Sequence, residues 1–426
     1  MSRVAGPTLV QDELRTKVPT SWRWWQRACA SLPGGVTHAL RQWGRLPIFV
    51  DHAQGSRKWD VDGNEYIDYQ MGHGALLMGH SHPLLVDAVR NQVERGTHYG
   101  ADHPDEVLWA ELVKQMVPSV DSVRFVSSGT EAVMLAVRLA RAYTRRHRVI
   151  KFKRHFHGWS DDMLCSADSS GRYPGDLPQG LGPLTIDLEP DLPDLLEGWL
   201  REGDVAAVII EPTGAHFGQV ELRPGFVAEI RALTERFATL LILDEVVTGF
   251  RTSVGGAQEV LGIRPDLSTF AKILGGGLPA GAVGGRREIM DQLDNEYSGG
   301  QPLYHPGTFN ANPMSAAAGI SMLTEVAAGY PVEQAISAGS DLRRQLRLAL
   351  DAEVEGGRIW GDASIFHLSV GRPQADAALN TYLLLEGVHL LRNSGLVSSV
   401  HSVRDLDLTV AAVQAALRRM RRDGLI

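Results

Sequence analysis

The order of hydrophobic and polar positions changes at about residue 75, and from there it predicts strands that alternate with helices. Four segments are predicted as strands: 122–126, 149–152, 205–210 and 240–243. The last two are uninterrupted apolar runs, which are typical of parallel strands buried on both faces. Between the first two, segment 131–143 places alanines and leucines on one face of a predicted helix. This pattern indicates an open α/β sheet, which binds ligands at the carboxyl ends of its strands.

The N-terminal part of the chain follows a different pattern. A helix is predicted around 21–25, and Pro33-Gly34-Gly35 ends the helical region. Antiparallel strands are predicted at 48–50, 58–61 and 66–69, with a turn at 62–64 between the last two.

The domain organisation follows from these changes of pattern. After about residue 315 a helix leads into a smaller α+β region with a strand at 364–370. We predict an N-terminal segment 1–75, a large domain 76–315 and a C-terminal segment 316–426, the first and last of which belong to one small domain. Segment 166–182 is rich in Gly, Pro, Ser and Asp and is predicted to be a mobile loop.

Composition and charge restrict the class of protein. The 426 residues are 44% hydrophobic and 22% charged, as in an ordinary globular protein, and the net charge of −8 argues against nucleic acid as a partner. The sequence shows no apolar run near the roughly 18 residues that a membrane span requires, so no membrane partner is expected. Its two cysteines, Cys29 and Cys165, have no metal-ligand spacing and favour a reducing, cytoplasmic location.

Lys272 is the leading candidate for chemistry. It precedes Gly275-Gly276-Gly277, and it lies about one βαβ unit after Asp244, which ends the apolar strand 240–243. Pyridoxal phosphate (PLP) chemistry needs such a pair: a lysine amine to form a Schiff base with the aldehyde, and a carboxylate to keep the pyridine nitrogen protonated. Taken alone, Asp244 is equally explained as a helix cap or a surface turn.

Other segments supply candidate contacts for the same cofactor. Ser128, Gly129 and Thr130 lie between a strand and a helix, where backbone amides and hydroxyls suit a phosphate, although a plain helix cap is the alternative. Thr308 precedes another predicted helix and is a second phosphate candidate, or else part of a bare turn. Val246 and Phe156 could pack on the two faces of the ring.

Metal binding is not expected. His155 and His157 flank Phe156 at an i, i+2 spacing, and the sequence offers no further ligands for a zinc-type site beside them.

These motifs resemble the class III aminotransferases of PLP fold type I, and among them the subgroup of glutamate-1-semialdehyde 2,1-aminomutase. The resemblance covers nearly the whole chain and includes SSGTEAVMLAVRLAR (127–141), HFHGW (155–159), LDEVVTGFR (243–251), PDLSTFAKILGGGLPAGAVGG (265–285) and HPGTFNANP (305–313). It implies a large domain with a mostly parallel, seven-stranded sheet flanked by helices, together with a small α+β domain built from both ends of the chain.

The resemblance also implies roles for particular residues. Lys272 takes the Schiff-base role, Asp244 the pyridinium contact, and Gly129 and Thr130 the phosphate contacts. Thr308 matches a phosphate ligand that the partner subunit supplies, which implies a homodimer with two shared active sites. The cofactor would alternate between PLP and pyridoxamine phosphate.

Arg41 and His73 are the candidate substrate-binding residues. Arg41 falls where the aminomutase pattern has an arginine for the substrate carboxylate, although a surface arginine is the alternative. His73 stands in Gly72-His73-Gly74, where the family tends to have Ser-Trp-Gly, so the substrate shell departs from the aminomutase pattern.

From this departure we expect an intermolecular aminotransferase acting on amino acids and keto acids with a carboxylate remote from the reacting amine, such as β- or γ-amino acids. The alternative is a glutamate-1-semialdehyde 2,1-aminomutase that makes 5-aminolevulinate by intramolecular amine transfer. A PLP decarboxylase or racemase and a non-enzymatic binding module are more remote alternatives.

Overall fold

The computed structural model describes residues 6–38, 41, 48–164, 184–299 and 301–426. The chain divides into two compact units, the first built from Met1–His82 with Glu333–Ile426 and the second from Pro83–Val332. The loop predicted at 166–182 lies outside the described residues, as does Cys165. No helix in the described ranges is both long and apolar enough to cross a membrane.

The first unit begins with two helices and a small antiparallel sheet. Its elements are α1 (Gly6–Lys17), α2 (Pro19–Ser31), a 3-10 turn (Pro33–Gly35), β1 (Val50–Gln54), β2 (Arg57–Asp60), β3 (Glu65–Asp68) and the single turn α3 (Met71–Gly74). The helix predicted around 21–25 and its break at 33–35 are confirmed.

The position predicted for the first strand was wrong. We predicted strand 48–50, whereas β1 runs from Val50 to Gln54 and pairs with β2 through Gln54 and Arg57. The hairpin register places the polar residues Asp51, His52 and Gln54 in the strand. They are tolerated there because β1 is an edge strand whose side chains are largely exposed.

The second unit alternates helices and strands. Its elements are α4 (Pro83–Arg95), α5 (Pro104–Met116), β4 (Ser122–Val126), α6 (Gly129–Thr144), β5 (Arg148–Phe152), α7 (Asp161–Leu164), β6 (Thr185–Leu188), α8 (Pro193–Leu200), β7 (Val205–Ile210), the single turn α9 (Ala215–Gly218), α10 (Phe226–Arg236), β8 (Leu240–Asp244), α11 (Ala257–Leu261), β9 (Leu267–Ala271), β10 (Gly281–Gly285), α12 (Arg287–Met290) and α13 (Pro313–Ala327). Two 3-10 turns, Lys272–Gly275 and Asp291–Leu293, complete the series.

These strands form the predicted mostly parallel, seven-stranded sheet, in the order β4-β10-β9-β8-β7-β5-β6. Strand β10 is antiparallel to both of its neighbours, whereas the pairs from β9 to β6 are parallel. Side chains of β7 alternate between two cores: Ala207 and Ile209 belong to the core that includes α6, and Val208 and Ile210 to the core that includes α8 and α10. Both faces are buried, which explains the uninterrupted apolar runs.

The C-terminal part returns to the first unit. Its elements are α14 (Tyr330–Glu353), β11 (Arg358–Trp360), β12 (Ile365–Ser369), α15 (Pro373–Leu385), β13 (Val388–His389), β14 (Ser394–Leu396) and α16 (Val403–Arg422). Strand β13 pairs in parallel with β3, so the small sheet has the order β1-β2-β3-β13. Ser402 caps α16 by accepting a hydrogen bond from the Asp405 amide, and one apolar core joins residues from both ends of the chain.

Two of the single turns have left-handed backbones. In α3, Met71 and His73 have φ values of 44° and 56°, and in α9 both His216 and Phe217 have a φ of 51°. Such a conformation costs a residue with a side chain roughly 1–2 kcal/mol, so each turn needs compensating contacts.

Close approach of backbone segments restricts Gly281 at the start of β10. A Cβ atom there would overlap the carbonyl oxygen of Ser128, at the junction of β4 and α6. We therefore expect Gly281→Ala to lower the melting temperature by several degrees, because overpacking against backbone costs about 1–3 kcal/mol. Gly198→Ala is the matched control, since its Cβ would meet nothing within 4 Å. Equal melting temperatures for the two variants would contradict this account.

Candidate active site

The candidate site is built where parallel strands leave the large sheet. Strands β5, β7, β8 and β9 run in the same direction, so their carboxyl ends meet at one edge. The residues that follow these ends are His155 to His157 after β5, Glu211 after β7, Asp244 as the last residue of β8, and Lys272 after β9. The predicted pair of Lys272 and Asp244 therefore lies at this edge.

Asp244 is buried and held by three donors. His157 Nδ1 lies 2.6 Å from Asp244 Oδ2, while the Thr269 hydroxyl and the Val246 amide each lie 3.1 Å from Oδ1. Only one of these donors is on Oδ2, and a carboxylate oxygen can accept more than one hydrogen bond. Asp244 is thus oriented rigidly and keeps acceptor capacity for a further donor.

Lys272 occupies a strained and partly buried position. Its φ of 53° is in the left-handed region, which costs a non-glycine residue roughly 1–3 kcal/mol and is often found at functional sites. Burial lowers the pKa of the Lys272 amine, the charges of Asp244 and Glu211 act in the opposite direction, and Arg251 adds to the lowering. A neutral amine, which is the nucleophilic form, is therefore favoured relative to an exposed lysine.

The start of α6 provides the candidate phosphate site. The Ser128 hydroxyl caps the helix by accepting from the Glu131 amide at 3.2 Å. A Cβ on Gly129 would lie 3.1 Å from Val246 Cγ1, so the missing side chain lets Val246 approach the helix terminus. Thr130 adjoins Gly158 of the HFHGW motif, where a Cβ would come within 2.7 Å of Thr130 Oγ1. The structure thus brings the predicted residues of three motifs together.

Two predicted cofactor residues are exposed. Phe156 has 53% of its surface accessible, although its amide is fixed by the Glu211 carboxylate at 2.8 Å. Thr308 is exposed next to Phe309, which is itself 59% accessible. Exposure of Thr308 leaves it able to contact another molecule.

The two predicted substrate residues belong to the first unit and lie near each other there. Arg41 donates to the Thr37 hydroxyl at 3.2 Å, and the His73 ring stacks on that of His38 at 5.3 Å. Burial lowers the pKa of His38, and the charges of Arg41 and Arg392 lower it further. Arg41, His73 and Arg392 also line one cavity of about 760 Å³.

Sequence reasoning missed the roles of His157 and Glu211 in organising the site. His157 was considered only as an improbable metal ligand, whereas it pairs with Asp244. Glu211 ends the apolar run of β7 in the way that Asp244 ends that of β8, and this signal could have identified it. No cluster of three or more potential metal ligands occurs among the described residues.

Comparison with known proteins places the chain in a family. Residues 39–404 match the aminotransferase class-III family. A glutamate-1-semialdehyde 2,1-aminomutase of Methylacidiphilum infernorum is 37% identical over 93% of this chain and 96% of its own length. Among solved structures, an omega-transaminase from Sphaerobacter thermophilus is 32% identical, with a TM-score of 0.86 over 94% of this chain and 98% of its own. A transaminase with PLP bound is 31% identical, with a TM-score of 0.89 over 96% and 99%.

The chain belongs to the class III aminotransferases, which are PLP-dependent enzymes. Its candidate site fits that cofactor chemically. It offers a lysine amine, a carboxylate with spare acceptor capacity, a helix N-terminus where a side chain at Gly129 would crowd Val246, and the exposed ring of Phe156. Within the described residues, the buried Nε2 of His157 has no hydrogen-bond partner, which leaves a polar atom for a bound group.

The pKa of Glu211 leads to a prediction of how stability depends on pH. Burial raises this pKa to about 7 from an ordinary value of 4.5. The contribution of Glu211 to stability is therefore fully present below about pH 4.5 and is lost as the pH rises to about 7, in total about 3 kcal/mol. We expect Glu211→Gln, which does not titrate, to gain stability relative to the wild type between pH 5 and pH 8.

The melting temperatures of the cofactor-free wild type and variant at both pH values test this prediction. The exposed Glu235, with 67% of its side chain accessible, provides the control variant Glu235→Gln. A Glu211→Gln difference that is the same at pH 5 and pH 8 would show that this carboxyl group is not perturbed.

Proposed function

We propose that this PLP-dependent enzyme catalyses the glutamate-1-semialdehyde 2,1-aminomutase reaction, an intramolecular amine transfer. The observation that carries the proposal is the pairing of a complete lysine–aspartate site with near full-length similarity to an aminomutase. The names of the relatives thus support the aminomutase alternative better than the intermolecular aminotransferase that we preferred from the sequence.

In this proposal, Lys272 would hold the cofactor covalently and the Asp244 carboxylate would accept a hydrogen bond from the cofactor's ring nitrogen. The start of α6, with Ser128, Gly129 and Thr130, would hold the phosphate, since amides at a helix N-terminus favour an anion. Val246 and Phe156 would pack against the ring. The cofactor, when bound, supplies an electron sink that stabilises negative charge on the substrate carbon.

Lys272 has a second proposed role as the base. With the cofactor bound, Lys272 Nζ would be the group that removes the proton from the substrate carbon that carries the amine. The lowered pKa of Lys272 supports this role because a neutral amine can accept a proton. His157 would act as a positioning residue, keeping the Asp244 carboxylate in one orientation.

We further propose that the enzyme is a homodimer in which Thr308 of one protomer completes the phosphate site of its partner. The exposure of Thr308 and of the neighbouring Phe309 supports this arrangement. Arg41 is the proposed partner of the substrate carboxylate, with His73 beside it, because a guanidinium can bind a carboxylate through two hydrogen bonds.

Intermolecular amino transfer is the second candidate. Similarity of 31–32% to two transaminases over 94–96% of the chain favours it, as does the His73 segment, which departs from the aminomutase pattern. In that case a second carbonyl compound would accept the amine, and substrates with a carboxylate remote from the reacting amine are proposed.

The two candidates are separated by incubating the loaded enzyme with glutamate-1-semialdehyde, without an added amino donor or acceptor. We expect 5-aminolevulinate to form over many turnovers, with Lys272→Ala as the inactive control, because that variant lacks both the covalent link and the base. If no more than one equivalent of glutamate-1-semialdehyde reacts per site, and an added keto acid restores turnover of that substrate, the second candidate replaces the aminomutase proposal.

Arg41→Ala tests the substrate site. We expect KM for an acidic substrate to rise about 10- to 100-fold, because a charge-assisted bidentate contact is lost, while the affinity for PLP is unchanged. Arg23→Ala is a suitable control, since Arg23 is also an exposed arginine of the first unit that donates to a nearby threonine. If KM is the same in the wild type and in Arg41→Ala, Arg41 does not bind the substrate.

A further inference from the structure

Glu211 makes contacts that the proposed reaction does not use. Glu211 is 6% exposed at the end of β7, and its carboxylate accepts hydrogen bonds from three backbone amides. The Phe156 and His216 amides lie 2.8 and 3.0 Å from Oε1, and the Phe217 amide lies 2.8 Å from Oε2. One carboxylate therefore ties together two loops that are distant in sequence.

The first of these loops is the left-handed turn α9. His216 and Phe217 both adopt a φ of 51°, which is unfavourable for residues with side chains. They are the two residues of this turn whose amides point at Glu211. The carboxylate thus compensates for the strained backbone. It also fixes the backbone positions from which the side chains of His216 and Phe217 extend.

The second loop carries Phe156 between two fixed histidines. The Glu211 amide donates to His155 Nδ1 at 3.2 Å, and His157 is anchored on Asp244 at 2.6 Å. Residues 155–157 are consequently held from the ends of two neighbouring strands, β7 and β8. The ring of Phe156 is half-exposed, so its position depends on its backbone more than on packing around the ring.

We propose that Glu211 is a positioning residue for the cofactor, which holds Phe156 and the turn at His216–Phe217 in the places that tight PLP binding requires. This inference rests on the proposed function, because it takes Phe156 as a residue that packs on the cofactor ring. The required group is a carboxylate, since a glutamine amide would offer one oxygen and would direct its NH₂ group at one of the three donors.

The charges around Glu211 agree with this role. Among the described residues, the titratable groups His155, His157, Asp244 and Lys272 lie beside Glu211 or interact with it electrostatically. Burial raises its pKa to about 7 despite the three amide donors, so the wild type retains a carboxylate that burial disfavours. If Glu211 served stability alone, its replacement by a neutral residue would leave the affinity for the cofactor unchanged.

The test is the affinity of the cofactor-free protein for PLP, measured at pH 8 by quenching of tryptophan fluorescence. We expect Glu211→Gln to raise the apparent Kd about tenfold. The matched control is Asp266→Asn, which removes another buried carboxylate that accepts a backbone amide, from Leu241 at 2.8 Å, at the opposite end of β8. The control is expected to melt at a lower temperature but to bind PLP as the wild type does.

A double-mutant cycle identifies the route of the effect. If Glu211 acts by placing Phe156, then Glu211→Gln in a Phe156→Leu background should change the Kd less than twofold. An unchanged Kd in the single variant would overturn the proposal, and fully additive effects in the cycle would overturn the part of it that concerns Phe156. If Glu211→Gln does not fold, Glu211→Asp replaces it, and for this shortened carboxylate the same loss of affinity is expected.

The experiment also distinguishes this proposal from the function on which it rests. A wild type that binds PLP but fails to form 5-aminolevulinate would remove the aminomutase reaction and leave the role of Glu211 standing. If the wild type forms 5-aminolevulinate with normal turnover while Glu211→Gln binds PLP with normal affinity, the aminomutase reaction stands and the role proposed for Glu211 is removed.

Discussion

Burial of the large sheet on both faces is the constraint from which the site follows. Every residue of β7, and every residue of β8 before Asp244, is apolar and buried, so these two strands can carry a charged group only where they leave the sheet. The parallel strands leave at the same edge, and this edge therefore collects Glu211, Asp244 and Lys272. Backbone amides donate to the carboxylates of Glu211 and Asp244, and both carboxylates act electrostatically on the Lys272 amine.

The two left-handed turns are stabilised in the same way in both units. In the first unit the buried Asp68 accepts from the amides of Gln70 and Met71 at 2.9 and 3.2 Å, just ahead of His73. In the second, Glu211 accepts from the two strained residues themselves. A buried carboxylate makes an unfavourable backbone persistent because leaving those amides unpaired would cost more than the strain. Such turns place side chains where ordinary turns cannot.

Features that depend on local pattern could be predicted from the sequence, and those that depend on tertiary partners could not. Four strands of the large sheet and the helix of 131–143 followed from apolar periodicity, whereas the seven strands and their mostly parallel order were implied by the family resemblance. Strand β1 was misplaced because the bounds of an exposed edge strand are set by the hairpin register and not by hydrophobicity. The place of Glu211 at the end of an apolar strand was visible in the sequence, but its hydrogen bonds from the amides of residues 156, 216 and 217 depend on the folded backbone and were not.

The pairing of β13 with β3 has a consequence for how the protein is made. Residues 83–332 are synthesised before Val388, which is the parallel partner of Ile67 in the small sheet. The inner edge of β3 therefore stays unpaired throughout synthesis of the second unit, which can fold as a complete body while the first is unfinished. During this interval the nascent chain exposes an unpaired β-edge, which is a place where another chain could pair.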